Sequence, residues 1–291
     1  MVALTFDDGP YVYTTEILDL LEEHEVKATF FITGDNRAKG HIDDPATGWP
    51  SILRRMYHAG HQVASHTWTH RDLNQVNETV RRAEIIHNEM AIRNIFGWIP
   101  TYIRPPFLEC SAGSGCEKTL GDLAYHSISA NLDTKDYMYD DPALIQRAKD
   151  RYSSTLSLNW KENSYIVLAH DVHEQTVHNL TEFMVHLARE RGYKLVTVGE
   201  CLGDPKENWY RWAESSSKMA RTVRKGNLCS GPAKPQVTSV SPPRNMSTKI
   251  SPNQRCGGST GYICPGSGFG DCCSHYGYWY DTLPASSFSF D

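Results

Sequence analysis

Two adjacent carboxylates, Asp7 and Asp8, lie between an apolar run and a Gly-Pro turn near the start of the sequence. The run Val2–Phe6 is rich in β-forming residues and predicts a buried strand that ends at the two aspartates. Neighbouring strand side chains point to opposite faces, but where a strand breaks into a turn both can reach one site. One carboxylate could then bind a cation while the other takes part in proton transfer. The alternative, an Asx turn, accounts for one aspartate but not for both.

Polar clusters also follow four later apolar runs. They are His66-Thr-Trp-Thr-His70, Arg104-Pro-Pro-Phe107, Asp133-Thr-Lys-Asp136-Tyr137 and Leu168-Ala-His170-Asp171. In β/α-barrel enzymes the carboxyl ends of the strands share one rim, and the active site lies there. Five polar clusters at one rim therefore predict a catalytic site.

The spacing of His66 and His70 suggests a metal site. Residues four apart at the start of a helix share one face. Together with a carboxylate such as Asp8, two histidines form a facial set that leaves positions open for water and substrate. An HxxxH pattern also arises by chance, so the metal hypothesis depends on Asp8 being at the same rim.

Two further residues have expected partners. Arg104, flanked by prolines in an apolar segment, is expected to be partly buried and to need an anion, for which Asp7 is suitable; the alternative is a surface ion pair. His170 follows an apolar run and suits a proton donor, with Asp136 holding its second nitrogen. The alternative for His170 is a core histidine.

The elements that position these clusters alternate between strand and helix up to about residue 213. Predicted strands are Val2–Phe6, Thr29–Thr33, Gln62–Ser65, Tyr102–Arg104, His126–Ala130, Tyr165–Ala169 and Leu195–Val198. Predicted amphipathic helices are Thr15–His24, Ser51–Ala59, Glu78–Phe96, Pro142–Leu156 and Val177–Arg191, the third capped by Asn77 or Thr79. This α/β pattern predicts a parallel sheet closed or nearly closed into a barrel; the alternative is an open doubly wound sheet.

The bulk composition excludes some functions. A net charge of −5 argues against a nucleic-acid surface, and no apolar run approaches the ~18 residues of a membrane span. Eight cysteines and three sequons, at Asn77, Asn179 and Asn245, favour an oxidising compartment. No signal peptide is visible in the first residues, so we expect a natural N-terminal segment to be missing.

The composition changes at about residue 213. Residues 214–253 are rich in proline, serine and threonine and predict a linker between a catalytic domain, residues 1–213, and a small module, residues 254–291. The module is rich in glycine, cysteine and tyrosine and could not build a core without crosslinks.

In their order, the five clusters resemble the signatures of the polysaccharide deacetylases of carbohydrate esterase family 4. The first signature here is Thr5-Phe-Asp-Asp-Gly-Pro10, and the resemblance covers residues 1 to about 205. It implies a distorted (β/α)7 barrel and the metal-dependent removal of acetyl groups from an N-acetylated glycan.

The resemblance also implies roles for the residues of the metal and base side. Asp8, His66 and His70 would bind Zn²⁺ or another divalent cation such as Co²⁺. Asp7 would be the general base, oriented by Arg104.

Roles on the acid side follow in the same way. His170 would be the general acid, oriented by Asp136, and the backbone N–H of Phe107 would hold the oxyanion. Tyr137, where the family often has tryptophan, and Leu168 would contact the substrate.

The C-terminal module resembles a hevein-type chitin-binding module, which implies that Ser274, Tyr276 and Tyr278 contact N-acetylglucosamine. The match is incomplete, because Trp279 stands where the family has a cysteine. A zinc-binding knot of the four module cysteines is the alternative.

The two resemblances also imply cysteine pairings. Cys256 and Cys273 can pair by the module's connectivity, and Cys110–Cys116 would close a short loop beside the active site. Cys201 resembles a family cysteine whose partner lies upstream of residue 1, and Cys229 is its substitute here.

The sequence therefore predicts a family member that acts as a monomer on chitin or chitooligosaccharides, outside the cell or in the cell wall. Because the catalytic motifs are shared across the family, only the hevein-like module favours chitin. The alternatives are deacetylation of acetylated xylan or peptidoglycan and an inert chitin-binding protein.

Overall fold

The computed structural model of the protein describes residues 1–212 and, beyond them, only the backbone of five two-residue strands. Those strands are Lys225–Gly226, Lys249–Ile250, Tyr262–Ile263, Cys272–Cys273 and Trp279–Tyr280. The predicted linker and most of the C-terminal module, including Ser274, Tyr276 and Tyr278, lie outside the described residues.

Residues 1–212 alternate between strands and helices. The strands are β1 Val2–Asp7, β2 Thr29–Ile32, β3 Gln62–Ser65, β4 Trp98–Pro100, β5 Tyr102–Ile103, β6 His126–Ile128, β7 Leu132–Asp133, β8 Tyr165–His170, β9 Leu195–Val196 and β10 Tyr210–Trp212. The helices are α1 Thr14–Glu23, α2 Trp49–His58, α3 Glu78–Phe96, α4 Cys116–Asp122, α5 Gln146–Thr155, α6 Thr181–Glu190 and α7 Val198–Cys201. Single 3₁₀ or π turns lie at Pro45–Thr47, Pro106–Leu108, Asp136–Met138, Thr176–Leu180 and Lys206–Asn208.

The main sheet is parallel and curls into an incomplete barrel. Its order is β6-β5-β3-β2-β1-β8-β7, with β9 also paired to the start of β1, while β4 and β10 form a separate antiparallel pair. Strands early in the sequence thus extend to one side of β1, and the late strand β8 closes on its other side. This arrangement confirms the predicted distorted β/α barrel.

Strand β1 lies at the centre of this fold, and its two faces have different roles. Val2, Leu4 and Phe6 pack against the helices outside the barrel, in one core with residues of α1 and α6. Ala3 faces the interior beside small and apolar residues of the neighbouring strands. Because side chains alternate along a strand, Asp7 continues the inward face.

The helices bury one stripe each and have recognisable ends. In α1, Ile17, Leu18 and Leu21 are buried, and burying each such side chain contributes about 1.5–3 kcal/mol. Asn77 caps α3, as predicted, because its Oδ1 accepts a hydrogen bond of 3.0 Å from the Val80 N–H. Within residues 1–212, no helix is long and apolar enough to cross a bilayer.

Some predicted elements differ from the structure. The stretch predicted as a helix from Val177 begins as a π turn and becomes α-helical only at Thr181. Helices α4 and α7 were not predicted, because each is short and its apolar positions do not repeat over a second turn.

Candidate active site

The proposed base and acid lie on adjacent strands. Asp7 at the end of β1 is in register with His170 at the end of β8, and with Phe31 on the other side. Since parallel strands end at one rim, Asp7 and His170 face the same space.

Asp7 is buried and paired with a buried arginine. Arg104 Nη1 donates to Asp7 Oδ1 at 2.7 Å and to Thr5 Oγ1 at 2.6 Å, and its guanidinium stacks 4.1 Å from the Phe31 ring centroid. Arg104 is fully buried and paired with Asp7, as predicted, and does not form the surface ion pair that was the alternative. Burial raises the pKa of Asp7, although Arg104 and other nearby cations oppose the rise.

Asp8, His66 and His70 bring three ligand atoms together. Asp8 Oδ1 lies 3.7 Å from His66 Nε2 and 3.4 Å from His70 Nε2, and one ligand atom from each of the three residues lies within 4.8 Å of the others. Asp8 Oδ1 is buried and has no hydrogen-bond partner among the described residues. A buried carboxylate oxygen without a donor is costly, and a cation at this point would satisfy it.

The second nitrogen of His66 is fixed by the backbone. His66 Nδ1–H donates to the Arg104 carbonyl at 2.7 Å, so Nε2 presents its lone pair toward Asp8. Burial lowers the pKa of His66 to about 3, which keeps the ring neutral, as a metal ligand requires. The three residues therefore fit a divalent ion such as zinc by donor type, protonation and spacing.

The expected helix at His66–His70 is wrong. These residues form a loop, and α3 begins only at Glu78. Thr67 and His70 have φ values of 68° and 62°, which lie in the left-handed region and turn the chain between the two histidines. The two rings are brought together, with centroids 4.9 Å apart, by this loop and not by helical periodicity.

The backbone that carries Asp8 is also unusual, with a φ of 78°. Lys39, which is 8% exposed, stabilises this backbone conformation. Its Nζ donates to the carbonyls of Asp8 and Gly9 at 3.0 and 2.9 Å and to Thr33 Oγ1 at 2.8 Å. Thr33 Oγ1 donates in turn to the Asp8 carbonyl at 2.6 Å. A side chain at Gly9 would meet Asp171, because a Cβ there would lie 2.2 Å from its Oδ2.

On the acid side, Asp136 is surrounded by donors. His170 Nδ1 lies 2.8 Å from Asp136 Oδ1, and the His170 N–H and Thr176 hydroxyl both donate to Oδ2 at 2.7 Å. The Tyr137 N–H donates to Oδ1 at 3.0 Å. These bonds hold the His170 ring so that Nε2 is left for the substrate.

Hydrogen bonding and charge outweigh burial in setting the pKa values of Asp136 and His170. Burial favours the neutral forms of both groups, but the His170 charge and the hydrogen bonds hold the pKa of Asp136 below its usual value. For His170, the Asp136 charge and hydrogen bond, with help from Asp7 and Asp8, outweigh burial and raise the pKa to about 9. His170 is therefore a protonated acid at neutral pH.

The remaining predicted site residues lie around the rim. Phe107 has a φ of 60°, its ring is 63% exposed and packs 4.8 Å from the His70 ring, and its N–H makes no hydrogen bond to another described residue. Tyr137 is 43% exposed, with its ring edge-on to His170 at 5.4 Å. Leu168 is only 6% exposed, in β8, so it offers little surface to a ligand.

Cys110 and Cys116 form the predicted disulfide. Cys201 is buried and also disulfide-bonded, while Cys229, its predicted partner, and the Cys256–Cys273 pair fall outside the part of the chain whose side chains are described.

Sequence reasoning missed Lys39, Thr5 and Thr176. Lys39 stands in the run Arg37-Ala-Lys-Gly40, whose composition is that of a surface turn, so no sequence signal separates it from an exposed lysine. Thr5 and Thr176 make their bonds across the sheet, to residues distant in sequence.

Residues 1–121 match the family model described as polysaccharide deacetylase. The sequence is 46% identical to a chitin deacetylase of Colletotrichum lindemuthianum over 211 residues, 72% of this chain and 83% of that protein. It is 40% identical to a chitin deacetylase of a Pestalotiopsis species over 276 residues, 95% of this chain and 80% of that protein. The solved structure of the chitin deacetylase from Colletotrichum lindemuthianum matches with a TM-score of 0.70 at 44% identity, covering 74% of this chain and 92% of that one.

The curled parallel barrel and the rim of carboxylates and histidines define a barrel hydrolase. The chain belongs to the polysaccharide deacetylase family, the family that the sequence motifs predict.

Proposed function

We propose that the protein hydrolyses the N-acetyl groups of N-acetylglucosamine units in chitin or chitooligosaccharides and releases acetate. The observation that carries the proposal is the unpartnered Asp8 Oδ1 between two histidine Nε2 atoms, beside a buried carboxylate and a protonated histidine. The similarity to two fungal chitin deacetylases supports chitin as the substrate.

The metal would be held by Asp8, His66 and His70. A divalent ion at this position polarises the amide carbonyl and lowers the pKa of water. Zinc is the first choice because two imidazoles and one carboxylate form a common catalytic zinc set; Co²⁺ suits the same ligands.

Asp7 would act as the general base. Its raised pKa increases its proton affinity, and Arg104, which also donates to Thr5 Oγ1, fixes its carboxylate at the end of β1, so Asp7 would take the proton of the attacking water. Arg104 is fully buried and acts through its pairing with Asp7, so it would be a positioning residue.

Attack on the amide carbon produces negative charge on the former carbonyl oxygen. The Phe107 N–H, which makes no hydrogen bond to another described residue, would donate to this oxygen, and the Phe107 ring packs against the His70 ring. His170, protonated and held through Nδ1 by Asp136, then delivers a proton from Nε2 to the leaving amine, so the C–N bond breaks and acetate and the free amine separate.

The exposed rim would bind the glycan. Tyr137 presents an aromatic edge near His170, and Phe107 presents one near His70, so the two rings flank the reacting position. Leu168 would contribute no more than an apolar wall below Tyr137.

Acetate release is the direct test. Purified enzyme is assayed on chitooligosaccharides, acetylxylan and peptidoglycan, each with and without a chelator followed by Zn²⁺ or Co²⁺. We expect release from chitooligosaccharides that the chelator abolishes and a metal restores. Release from xylan or peptidoglycan alone would overturn the substrate, and chelator-insensitive release would overturn the metal-dependent mechanism.

We also propose the domain organisation predicted from the sequence: a catalytic domain at 1–213, a linker at 214–253 and a chitin-binding module at 254–291. The match to the Pestalotiopsis protein spans 95% of this chain and so extends past residue 213. In the full chain, replacing Tyr276 and Tyr278 with alanine should reduce retention on insoluble chitin while soluble-oligomer turnover is unchanged. Unchanged retention would refute a role of the module in binding.

An extracellular or cell-wall location fits the disulfide chemistry. Cys110–Cys116 and the disulfide of Cys201 persist in oxidising compartments. We propose that the enzyme acts there as a monomer, which light scattering at assay concentration would test.

A further inference from the structure

A second cluster of metal-ligating side chains lies outside the active site, where the end of α1 meets α6. It consists of His24, the C-cap of α1, with Glu182 and His186 of α6. Glu182 and His186 are four residues apart on one helix and therefore share a face. We call these three side chains the seam cluster.

The three side chains converge on one carboxylate oxygen. Glu182 Oε1 lies 3.8 Å from His24 Nε2 and 3.5 Å from His186 Nε2. One ligand atom from each of the three residues lies within 4.8 Å of the others, and the two imidazole rings are perpendicular with centroids 5.0 Å apart. Ligands about 2.1 Å from a tetrahedral zinc ion lie about 3.4 Å from one another. Both distances from Glu182 Oε1 are close to this spacing, and the two imidazole nitrogens, at most 4.8 Å apart, would move toward one another on binding.

Ion pairing alone does not explain why the three side chains of the seam cluster lie together. Glu182 and His186 are 55% and 62% exposed, and an exposed carboxylate–imidazole pair contributes little. None of the three side chains donates or accepts a hydrogen bond elsewhere in residues 1–212, so their ligand atoms remain available.

The site is also preformed without a metal. Arg189 of α6 donates through Nη2 to the His24 carbonyl and so fixes the end of α1 against α6. The His24 ring is 15% exposed and cannot swing far, whereas the exposure of the other two ligands leaves room for water in a fourth position.

We propose that the seam cluster binds one divalent transition-metal ion, with Zn²⁺ as the expected occupant. This ion is additional to the one at the rim. It would link α1, which follows β1, to α6, which follows β8, and so crosslink the helices behind the strands that carry Asp7 and His170. A ligand that binds only the folded chain stabilises it, so the melting temperature should rise with zinc concentration.

Metal counting tests the proposal. Full-length protein is stripped, reconstituted with excess Zn²⁺ at pH 7.5, desalted and analysed by mass spectrometry for zinc per chain. We expect two ions in the wild type, one in His186→Gln and two in His58→Gln, a matched control on an exposed histidine in the last turn of α2. His186→Gln should deacetylate at the wild-type rate.

A second pair of variants separates this site from the rim. Asp8→Ala should retain one zinc ion, and Asp8→Ala combined with His186→Gln should retain none. In calorimetric titrations His186→Gln should weaken the second binding event at least tenfold. One ion in the wild type lost with Asp8→Ala, or two ions in His186→Gln, would overturn the proposal, and neither result depends on catalysis.

Discussion

Two buried carboxylates, Asp7 and Asp136, lie on opposite sides of the catalytic space and behave differently. Both are paired with a cationic side chain, yet the pKa of Asp7 is raised and that of Asp136 is lowered. Asp7 accepts one side-chain hydrogen bond, from Arg104, whereas Asp136 accepts four, two of them from the backbone. Both carboxylates are buried, so their partners make the difference: the His170 charge and the hydrogen bonds outweigh burial at Asp136, whereas the Arg104 charge and one hydrogen bond do not outweigh it at Asp7.

The largest effect is expected for Asp7→Asn. The amide keeps the shape and can still accept from Arg104, but it cannot take a proton, so turnover should fall about 10³-fold or more. Metal content should stay at the wild-type level, since Asp8, His66 and His70 are intact. Acetate release and zinc analysis check both points, and near-normal turnover would remove Asp7 from the base role.

Asp136→Asn is expected to cost about 10²-fold in kcat and to move the alkaline limb of the pH profile. His170 works as the acid, so activity falls as pH rises through its pKa, which is about 9 in the intact pair. Without the Asp136 charge the pKa of His170 drops. The alkaline loss of activity should therefore begin at a lower pH than in the wild type.

The matched control for Asp136→Asn is Asp140→Asn. Asp140 holds His173 Nδ1 at 2.9 Å in the same way, but its histidine is not the acid. The alkaline limb of the Asp140→Asn pH profile should match that of the wild type. An equal shift of the limb in both variants would contradict the assignment of His170 as the acid. The raised pKa of His170 also stabilises the fold: this contribution is fully present below the ordinary pKa of 6.5 and is lost as pH rises through about 9. The lowered pKa of Asp136 contributes stability above its ordinary pKa of 3.8, which is lost as pH falls through the lowered value.

Lys39→Met should have a smaller effect than the two aspartate variants. The effect should be on metal binding at Asp8. The ammonium supports the backbone of Asp8 in its left-handed conformation, so its loss should weaken zinc binding about tenfold and cost about 1–3 kcal/mol of stability. Zinc competition and thermal melts measure the two effects. Lys118→Met, whose side chain is 77% exposed, is the control that should change neither.

The smallest effect is expected for Tyr137→Ala. Tyr137 packs edge-on against the His170 ring, its hydroxyl accepts a hydrogen bond of 2.9 Å from Lys135 Nζ, and 43% of the residue is exposed, so KM for chitooligosaccharides should rise severalfold with kcat within about twofold. Met138→Ala, at a neighbour that is 58% exposed, should leave KM unchanged. A large fall in kcat for Tyr137→Ala would mean that the ring positions the acid and does not only bind sugar.

The sequence predicted the barrel and the positions of the main polar clusters because both depend on local order. Apolar runs ending in Asp7, His66, Arg104 and His170 predict strands, and parallel strands bring their ends to one rim. The Asp7–Arg104 pair followed from the need of a buried charge for a counterion. The Asp136–His170 pair followed from the need of an acid-base imidazole for a partner at its second nitrogen.

What the sequence could not predict is set by backbone conformation and distant contacts. The loop that brings His66 and His70 together depends on positive φ at Thr67 and His70, for which neither residue type gives a signal. Lys39 is buried where its Nζ donates to three acceptors just beyond the ends of β1 and β2, the Asp8 and Gly9 carbonyls and Thr33 Oγ1. Such arrangements arise from the assembled fold and leave no periodicity in the chain.

The pairing of β1 with β8 has a consequence for how the protein is made. The paired residues of the two strands are 163 positions apart in the sequence, so we expect closing the loop between them to be a late and slow step. During synthesis, one apolar edge of β1 should stay unpaired until residues 165–170 have left the ribosome. A nascent chain released before Tyr165 would carry the metal ligands without the acid, and its free edge would be a template for aggregation.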